Sequence, residues 1–445
     1  MSASPSRQMN INLFMSPCGY QTGAWRLPGS RSDELLTLGF MSDIARQAER
    51  AKIDAVFVAD ALQVLEPAGR YPNPNELEPL TTLSALAATT QKIGLIGTAS
   101  TSFTEPYNLA RYFASLDHLS QGRAGWNIVT SFQGGENFTL GLPDHEERYR
   151  RAFEYMDVVT ALWDSWQDDA IVNDKVQGHW AMTERIHKVN FKGDYYRVEG
   201  PLNIARSPQG WPVLVQAGSS DSGMNFAATY AEVVFTAQRT LTEARSFSAD
   251  LKQRLAQKGR APDKVKVLPG LMPIIGNTET EAAELAERIW DLVDVDVGLH
   301  ALEPLIEGVA LEELDLDEPI PSHHLRLPEH AEGNRSRYEL FYNLATRDRY
   351  TLRQLVKVRA MGLGHLVVIG TAEQVADEMY AWFSQGACDG FNLQTPYLPG
   401  GLDAITEELI PVLQRRGLFR TEYEGSTLRD HLGLDRPPGR PATQR

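Results

Sequence analysis

Short β-branched runs alternate along this chain with stretches whose apolar residues recur every three or four positions, and that alternation sets the expected architecture. Residues 10–15 read as a first strand, followed by a helix with Met41, Ile44, Ala45, Ala48 and Ala51 on one face. A buried strand at 55–59 runs into Asp60, a helix occupies 81–90, and 93–99 is a third strand. Residues 108–119 are helical, after which Gly122-Arg123 turns the chain into a fourth strand ending near Val129. The helix at 149–166 places Phe153, Met156, Val159, Trp163 and Trp166 on its buried side. Strands at 213–217, 233–236 and 265–275 follow, with a helix at 224–231 behind a Gly- and Ser-rich turn. Thr278 with Glu281, and Thr371 with Gln374, have the spacing of a capping box ahead of apolar helix faces. A strand at 391–394 and a helix at 405–413 complete the series.

That makes about eight strand–helix units in one order. Repeated βα units imply parallel strands with helices outside them, in an open doubly wound sheet or a closed barrel. The number of units favours an α/β fold of the (β/α)8 TIM-barrel type, with insertions. Residues 167–207 and 294–350 are longer than ordinary connections and read as insertions or lids on a single domain spanning 1–445. The first reads as carrying a hairpin at 191–198 around Gly193-Asp194; the second is acidic at first and then rich in His and Arg.

Charge and cysteine content narrow the function classes. Lys and Arg number 43 against 58 Asp and Glu, a formal net charge of −15, and no basic run stands out. Nucleic acid and anionic membrane are therefore not expected partners. Cys18 and Cys388 lie far apart in no metal-like spacing, which fits a reducing cytoplasm better than a disulfide framework. Residues 1–9 are polar and hold no signal-type apolar core, and no apolar run is long enough to span a bilayer. A soluble cytoplasmic protein is expected.

A barrel of this type keeps its chemistry at the C-terminal ends of its strands. The polar residues expected there are Asp60, Thr98 to Thr101, Asn127, Thr130, Ser131, Ser219 to Ser222, and Asn392. They are mostly hydroxyls and amides, which suit holding a polar ligand more than hydrolysing a bond. The turn from Gln216 through Gly-Ser-Ser-Asp-Ser-Gly could bring backbone N–H groups to an anion such as phosphate; a plain N-cap turn accounts for it equally well. His145 and Tyr149, four apart, share one helix face, although a His at a helix start is more often a capping or surface residue.

His323, His324 and His330 cluster away from any strand end, and the first strand lacks a His-x-His, so no metal is expected. A P-loop and a G-x-G-x-x-G turn are missing, since Gly362-Leu-Gly364 precedes a strand instead of opening a helix. The chain is therefore not expected to collect hydride from NAD(P)H through the usual module. No G-x-S-x-G elbow is found either. Phe14, Phe57, Phe103, Trp126 and Phe235 could line a site, though ordinary barrel core explains each one singly.

The segment Ser120-Gln-Gly-Arg-Ala-Gly-Trp-Asn-Ile-Val-Thr-Ser131 resembles the nitrilotriacetate monooxygenase component A and dibenzothiophene-sulfone monooxygenase group of the bacterial luciferase-like flavin monooxygenase superfamily. Further blocks follow the group's order: Trp25-Arg26, Val58-Ala-Asp60, Glu78-Pro-Leu-Thr81, Gln216-Ala-Gly-Ser-Ser220, Gly370-Thr-Ala-Glu-Gln-Val-Ala-Asp377 and Asp389-Gly-Phe-Asn392. Arg416 to Tyr423 and Thr427 to Leu434 continue the likeness, which covers nearly the whole chain.

This resemblance implies a barrel that binds FMN as FMNH2. O2 would add at the flavin C4a carbon, giving a hydroperoxide or peroxide that oxygenates a small organic substrate. A separate NAD(P)H:flavin reductase would supply the reduced flavin, and the assembly would be a homodimer or homotetramer. Carried over residue by residue, cofactor contacts fall on Asp60, Thr98, His145, Tyr149 and Ser220, with Ser219 and Thr101 as near neighbours. His145 would bind the flavin or assist a proton; binding is the preferred role, and no catalytic residue is assigned.

Two departures fall where substrate would be expected. Gly19-Tyr20-Gln21 stands where relatives often carry His, and the stretch between Ser131 and His145 is short. Aminopolycarboxylates, organosulfur compounds, alkanes and haloaromatics all remain open as substrates. A deazaflavin-dependent dehydrogenase of the same superfamily and a non-catalytic flavin-binding protein are the rival readings.

Overall fold

The computed structural model describes residues 7–16, 18–64, 77–331 and 335–439. The first half of the chain lays down β1 (Asn10–Phe14), α1 (Leu38–Arg50), β2 (Ala55–Val58), α2 (Pro79–Thr89), β3 (Gly94–Ser100), α3 (Pro106–Leu119), β4 (Ala124–Val129) and α4 (His145–Trp163). Two short antiparallel hairpins follow, β5 (Ile171–Asp174) with β6 (His179–Ala181), and β7 (Phe191–Lys192) with β8 (Arg197–Val198). The βα rhythm then resumes with β9 (Val213–Ala217), α5 (Asp221–Tyr230), β10 (Val233–Thr236), α6 (Leu241–Gln257), β11 (Lys266–Ile275) and α7 (Glu279–Trp290). Helices α8 (Val295–Leu302), α9 (Arg335–Thr346) and α10 (Leu352–Gly362) precede β12 (Leu366–Gly370), α11 (Ala372–Ser384) and β13 (Gly390–Gln394). The chain closes with α12 (Gly400–Asp403), a π-helical turn, α13 (Ile410–Arg415) and α14 (Leu428–Leu432).

Eight parallel strands close on themselves in the order β1, β2, β3, β4, β9, β10, β11, β13 and back to β1. β12 lies outside that ring and pairs only with the far half of β11, from Leu271 to Ile275. The expected (β/α)8 barrel is thus the observed one. Helix α4 starts earlier than the apolar pattern shows, at His145, because the Asp144 side chain accepts from the Glu147 N–H and caps it. The two capping boxes differ. Thr371 and Gln374 form both reciprocal bonds, whereas Glu281 turns to the Asn277 N–H and leaves Thr278 capping alone.

Strand parity divides the side chains. Asn12, Phe14, Phe57, Thr98, Asn127, Val215 and Phe235 face the barrel interior, in alternation with residues that meet the helices. Trp126 belongs to the outer set, packed among Phe113, Tyr155, Met156 and Trp163 with its indole N–H on the Ala99 carbonyl. It therefore cannot line a site inside the barrel.

The N-terminal mouth of the barrel is plugged. Leu428, Leu432 and Leu434 pack against Ala55, Ile96, Val213 and Val233. A Cβ on Gly94 would stand 2.4 Å from Leu428 Cδ1, so the plug depends on glycine there. Buried Arg429 fixes the plug through a forked pair to Glu232 at 2.6 and 2.9 Å. Access is left to the opposite mouth, at the strands' C-terminal ends. Among the described residues, no helix is long and apolar enough to cross a membrane.

Candidate active site

At the C-terminal mouth, β3 and β4 run in register with Thr98 opposite Asn127. The Thr98 hydroxyl donates to the Val58 carbonyl at 2.9 Å and accepts from Asn127 Nδ2 at 2.9 Å. This fixes both side chains and leaves Asn127 Oδ1 buried without a partner. Asp60 follows the end of β2 at the solvent-exposed rim. Crowding by the mouth and the nearby Glu78 carboxylate push its carboxyl up to about 6. Thr101 accepts no such task, as its hydroxyl and N–H both go to the Val129 carbonyl. Ser131, held at φ 57°, donates to Ser100 Oγ at 2.7 Å and turns the chain sharply away from β4.

A second group forms where the starts of α4 and α5 meet. The Tyr149 hydroxyl contacts Ser220 and Thr130, and burial raises the phenol above its ordinary range. Tyr149 and His145 have ring centroids 5.0 Å apart. Ser220 caps α5, its Oγ accepting from the Gly223 N–H at 3.2 Å. A Cβ on Gly223 would meet Tyr149 Oη at 3.1 Å and Ser220 Oγ at 3.2 Å, so the helix start is kept open by glycine. His145 Nδ1 is buried without a hydrogen-bond partner. Burial, then Arg148 and Arg335, lower the His145 pKa and keep the ring neutral at pH 7. The Arg148 guanidinium and a ten-residue helix's N-terminus thus lie beside three hydroxyls, with Arg335 acting on the adjoining His145. The arrangement favours a bound anion.

Between these groups lies an aromatic floor. Phe14 stacks on Phe57 at 5.4 Å, and Phe235 lies 5.5 Å from Phe57 and 6.1 Å from Phe14. Of the residues read as candidate lining, these three do gather inside the mouth. Phe103 instead stacks on Phe138 at 3.9 Å, away from that group.

The structure brings His145, Tyr149 and Ser220 into one group and sets Thr98 on the neighbouring strand pair, while Asp60 stands at the rim. Tyr20, flagged in the sequence as a departure where substrate is expected, reaches the mouth, and so do Arg335, Arg337 and His365, which the sequence pattern did not single out. Arg337 Nη2 contacts His365 Nε2 at 2.7 Å, and His365 stacks on Phe235 at 5.0 Å. The signal in the sequence was weak, namely basic residues late in the long segment before β12. A shallow hollow bounded by Thr242, Arg245, Lys252 and Gly386 lies on the outer wall and contains none of the strand-end groups.

Comparison with known proteins agrees with this geometry. The family described as Luciferase-like monooxygenase matches residues 17–388. The chain is 43% identical to N-acetyl-S-(2-succino)cysteine monooxygenase of Bacillus subtilis over 98% of its length and 99% of the relative's. It is 44% identical to nitrilotriacetate monooxygenase component A of Aminobacter aminovorans, covering 97% and 98% of the two chains. Dibenzothiophene-sulfone monooxygenase of Rhodococcus erythropolis is 36% identical over 97% and 98%. Among solved structures, a riboflavin lyase crystallised with modified FMN and riboflavin superposes with a TM-score of 0.85 at 31% identity, covering 97% of each chain. An F420-dependent secondary alcohol dehydrogenase, at 16% identity and a TM-score of 0.58, shares the fold alone.

A closed parallel barrel with its polar site at one mouth and matches of this extent define the class: the protein is an enzyme, a flavin-dependent monooxygenase. The chain belongs to the luciferase-like monooxygenase family, in the group of the nitrilotriacetate and dibenzothiophene-sulfone monooxygenases.

Proposed function

We propose that this chain is the oxygenating component of a two-component monooxygenase that holds FMN as FMNH2, with a separate NAD(P)H:flavin reductase supplying the reduced flavin. The observation that carries the reading is the anion cradle at the start of α5. Ser220, Tyr149 and Thr130 hydroxyls meet there beside Arg148, Arg335 and His145. A phosphate ester fits such a cradle through helix N–H groups and charge-assisted bonds. The relative named as a component A supports a partner that delivers the cofactor.

Asp60, Thr98, His145, Tyr149 and Ser220 would hold the flavin. Bound flavin in its reduced form supplies the electrons with which O2 is activated. The chain's own residues orient and enclose. Ser220 and Tyr149 take the phosphate end. The Thr98 hydroxyl, locked between Val58 and Asn127, offers its remaining lone pair to a ring N–H. Neutral His145 hydrogen-bonds without adding charge. Phe14, Phe57 and Phe235 keep water from the reacting face. The reaction would insert one oxygen atom of O2 into a small organic substrate and release the other as water, the two electrons and two protons coming from the reduced flavin. It would take place in the cytoplasm, in a homodimer or homotetramer built on one domain with lids at 167–207 and 294–350.

Anaerobic titration of FMNH2 tests the assignment. Ser220→Ala and His145→Ala are each expected to weaken binding about tenfold, the cost of one good hydrogen bond to a charged or polar group. Unchanged affinity in both variants rejects this placement of the cofactor.

A further inference from the structure

The side of the mouth opposite the phosphate cradle holds polar groups for which the cofactor assignment has no task. Tyr20 follows β1, Gln394 ends β13, His365 immediately precedes β12, Arg337 lies on α9 and Arg359 on α10. Their contacts interlock. Tyr20 meets Phe14 edge-on at 5.2 Å and His365 at 6.0 Å, and His365 lies flat on Phe235. Arg337 Nη2 donates to His365 Nε2 at 2.7 Å, which requires a neutral imidazole and holds one edge of the guanidinium in place. Gln394 is fully buried beside the Tyr20 hydroxyl. One step deeper on the same face, Asn392 is 1% exposed with neither amide atom hydrogen-bonded.

Charge and exposure point the same way. The ionisable groups that act on one another in this corner are Tyr20, His365, Arg337 and Arg359. Burial keeps Tyr20 and His365 neutral at pH 7, and the Arg337 guanidinium lies beside them against a wall of phenyl rings where charge is weakly screened. Phe14, Tyr20 and Arg337 are only partly buried while Phe57, Phe235, His365 and Gln394 are nearly or wholly so. A forked guanidinium with a phenol beside it matches the planar, two-oxygen geometry of a carboxylate.

We propose that this corner recognises a carboxylate of the substrate, with Arg337 as the forked donor and Tyr20 as a second donor, so that the enzyme acts on organic acids and not on neutral hydrocarbons, sulfides or sulfones. The inference rests on the flavin monooxygenase reading, since it takes the opposite side of the mouth as the cofactor's. His365 acts through Arg337 and is a positioning residue.

Calorimetric titration of the full chain with FMN present tests it, using iminodiacetate, thiodiglycolate and N-acetylmethionine against their methyl esters. The acids are expected to bind at least tenfold more tightly than the esters. Arg337→Met should abolish that preference while FMN affinity stays within twofold of wild type. Arg337→Lys, which keeps the charge but loses the fork, should weaken acid binding about tenfold; it carries the comparison if the methionine variant fails to fold. Esters binding as well as acids, no probe binding at all, or acid binding unchanged in the arginine variants overturns the proposal. Loss of FMN binding in Arg337→Met also overturns it, because the guanidinium would then belong to the cofactor. A wild-type chain that binds no flavin sinks the parent reading, whereas flavin binding without acid preference sinks only this one.

Discussion

Ser220 shows how one hydroxyl can serve stability and binding together. It accepts from the Gly223 N–H to cap α5 and also reaches the Tyr149 hydroxyl. Ser220→Ala should therefore cost about 1 kcal/mol of stability, as cap removals do, besides its effect on FMNH2. Thermal unfolding of the flavin-free protein isolates the first effect. Asp60 gives a residue-scale pH prediction. Its carboxyl is pushed up to about 6, chiefly because the surrounding mouth withdraws water from the carboxyl of an otherwise exposed residue, and then by Glu78. Below that pH it becomes neutral and loses acceptor strength toward a flavin N–H, so FMNH2 affinity should fall as pH drops through 6. Asp60→Asn should flatten the profile; an inflection that persists in the variant would detach Asp60 from the cofactor.

At the scale of elements, Arg123 explains why its segment is so recognisable. Its 3%-exposed guanidinium donates to Ser120 O, Ile93 O, Ala87 O, Thr90 O and Thr90 Oγ1 at 2.7 to 3.1 Å. One side chain thus ties the end of α2, the entry to β3 and the turn into β4. Arg123→Met strands several buried carbonyls and should destabilise the protein by roughly 3 kcal/mol, measured by denaturant unfolding, without altering flavin chemistry in the folded fraction. An effect under 1 kcal/mol would mean that water replaces these bonds.

The strands were legible because a parallel strand buried on both faces is a continuous apolar run between turn signals. The same property hid Trp126, since a strand apolar on both faces carries no parity signal to say which side faces the barrel. Thr98, Tyr149 and Ser220 were legible as hydroxyls at strand ends and helix starts. Tyr20 was legible only as a departure from the group's pattern, and Arg337 and His365 were not legible at all, because they lie in connections without periodicity and meet only in the closed fold.

For the whole molecule, the C-terminal plug couples barrel closure to pH. His431 is 3% exposed, packs 4.7 Å from Tyr423, and is lowered to about 4 by burial and Arg420. A folded pKa below the unfolded value near 6.5 means that the unfolded chain binds more protons between those limits. Stability from this group is complete above 6.5 and is lost as pH falls toward 4, by roughly 3 kcal/mol. Asp54, paired with Arg420 at 2.5 Å and raised to about 6, acts in the opposite direction between 3.8 and 6. The difference between wild type and His431→Phe therefore isolates the histidine: the variant should lose less stability on acidification from pH 7 to 4. Parallel curves would show that His431 does not stay neutral in the plug.

If the C-terminal mouth holds reduced flavin, it also governs that flavin's reaction with O2. Stopped-flow mixing of anaerobic protein and FMNH2 with oxygenated buffer tests it most directly, with flavin absorbance followed at several wavelengths. Reoxidation is expected in more than one phase, distinct from free FMNH2 and reverting toward the free time course in Ser220→Ala. A single phase identical with and without the wild-type protein would contradict it.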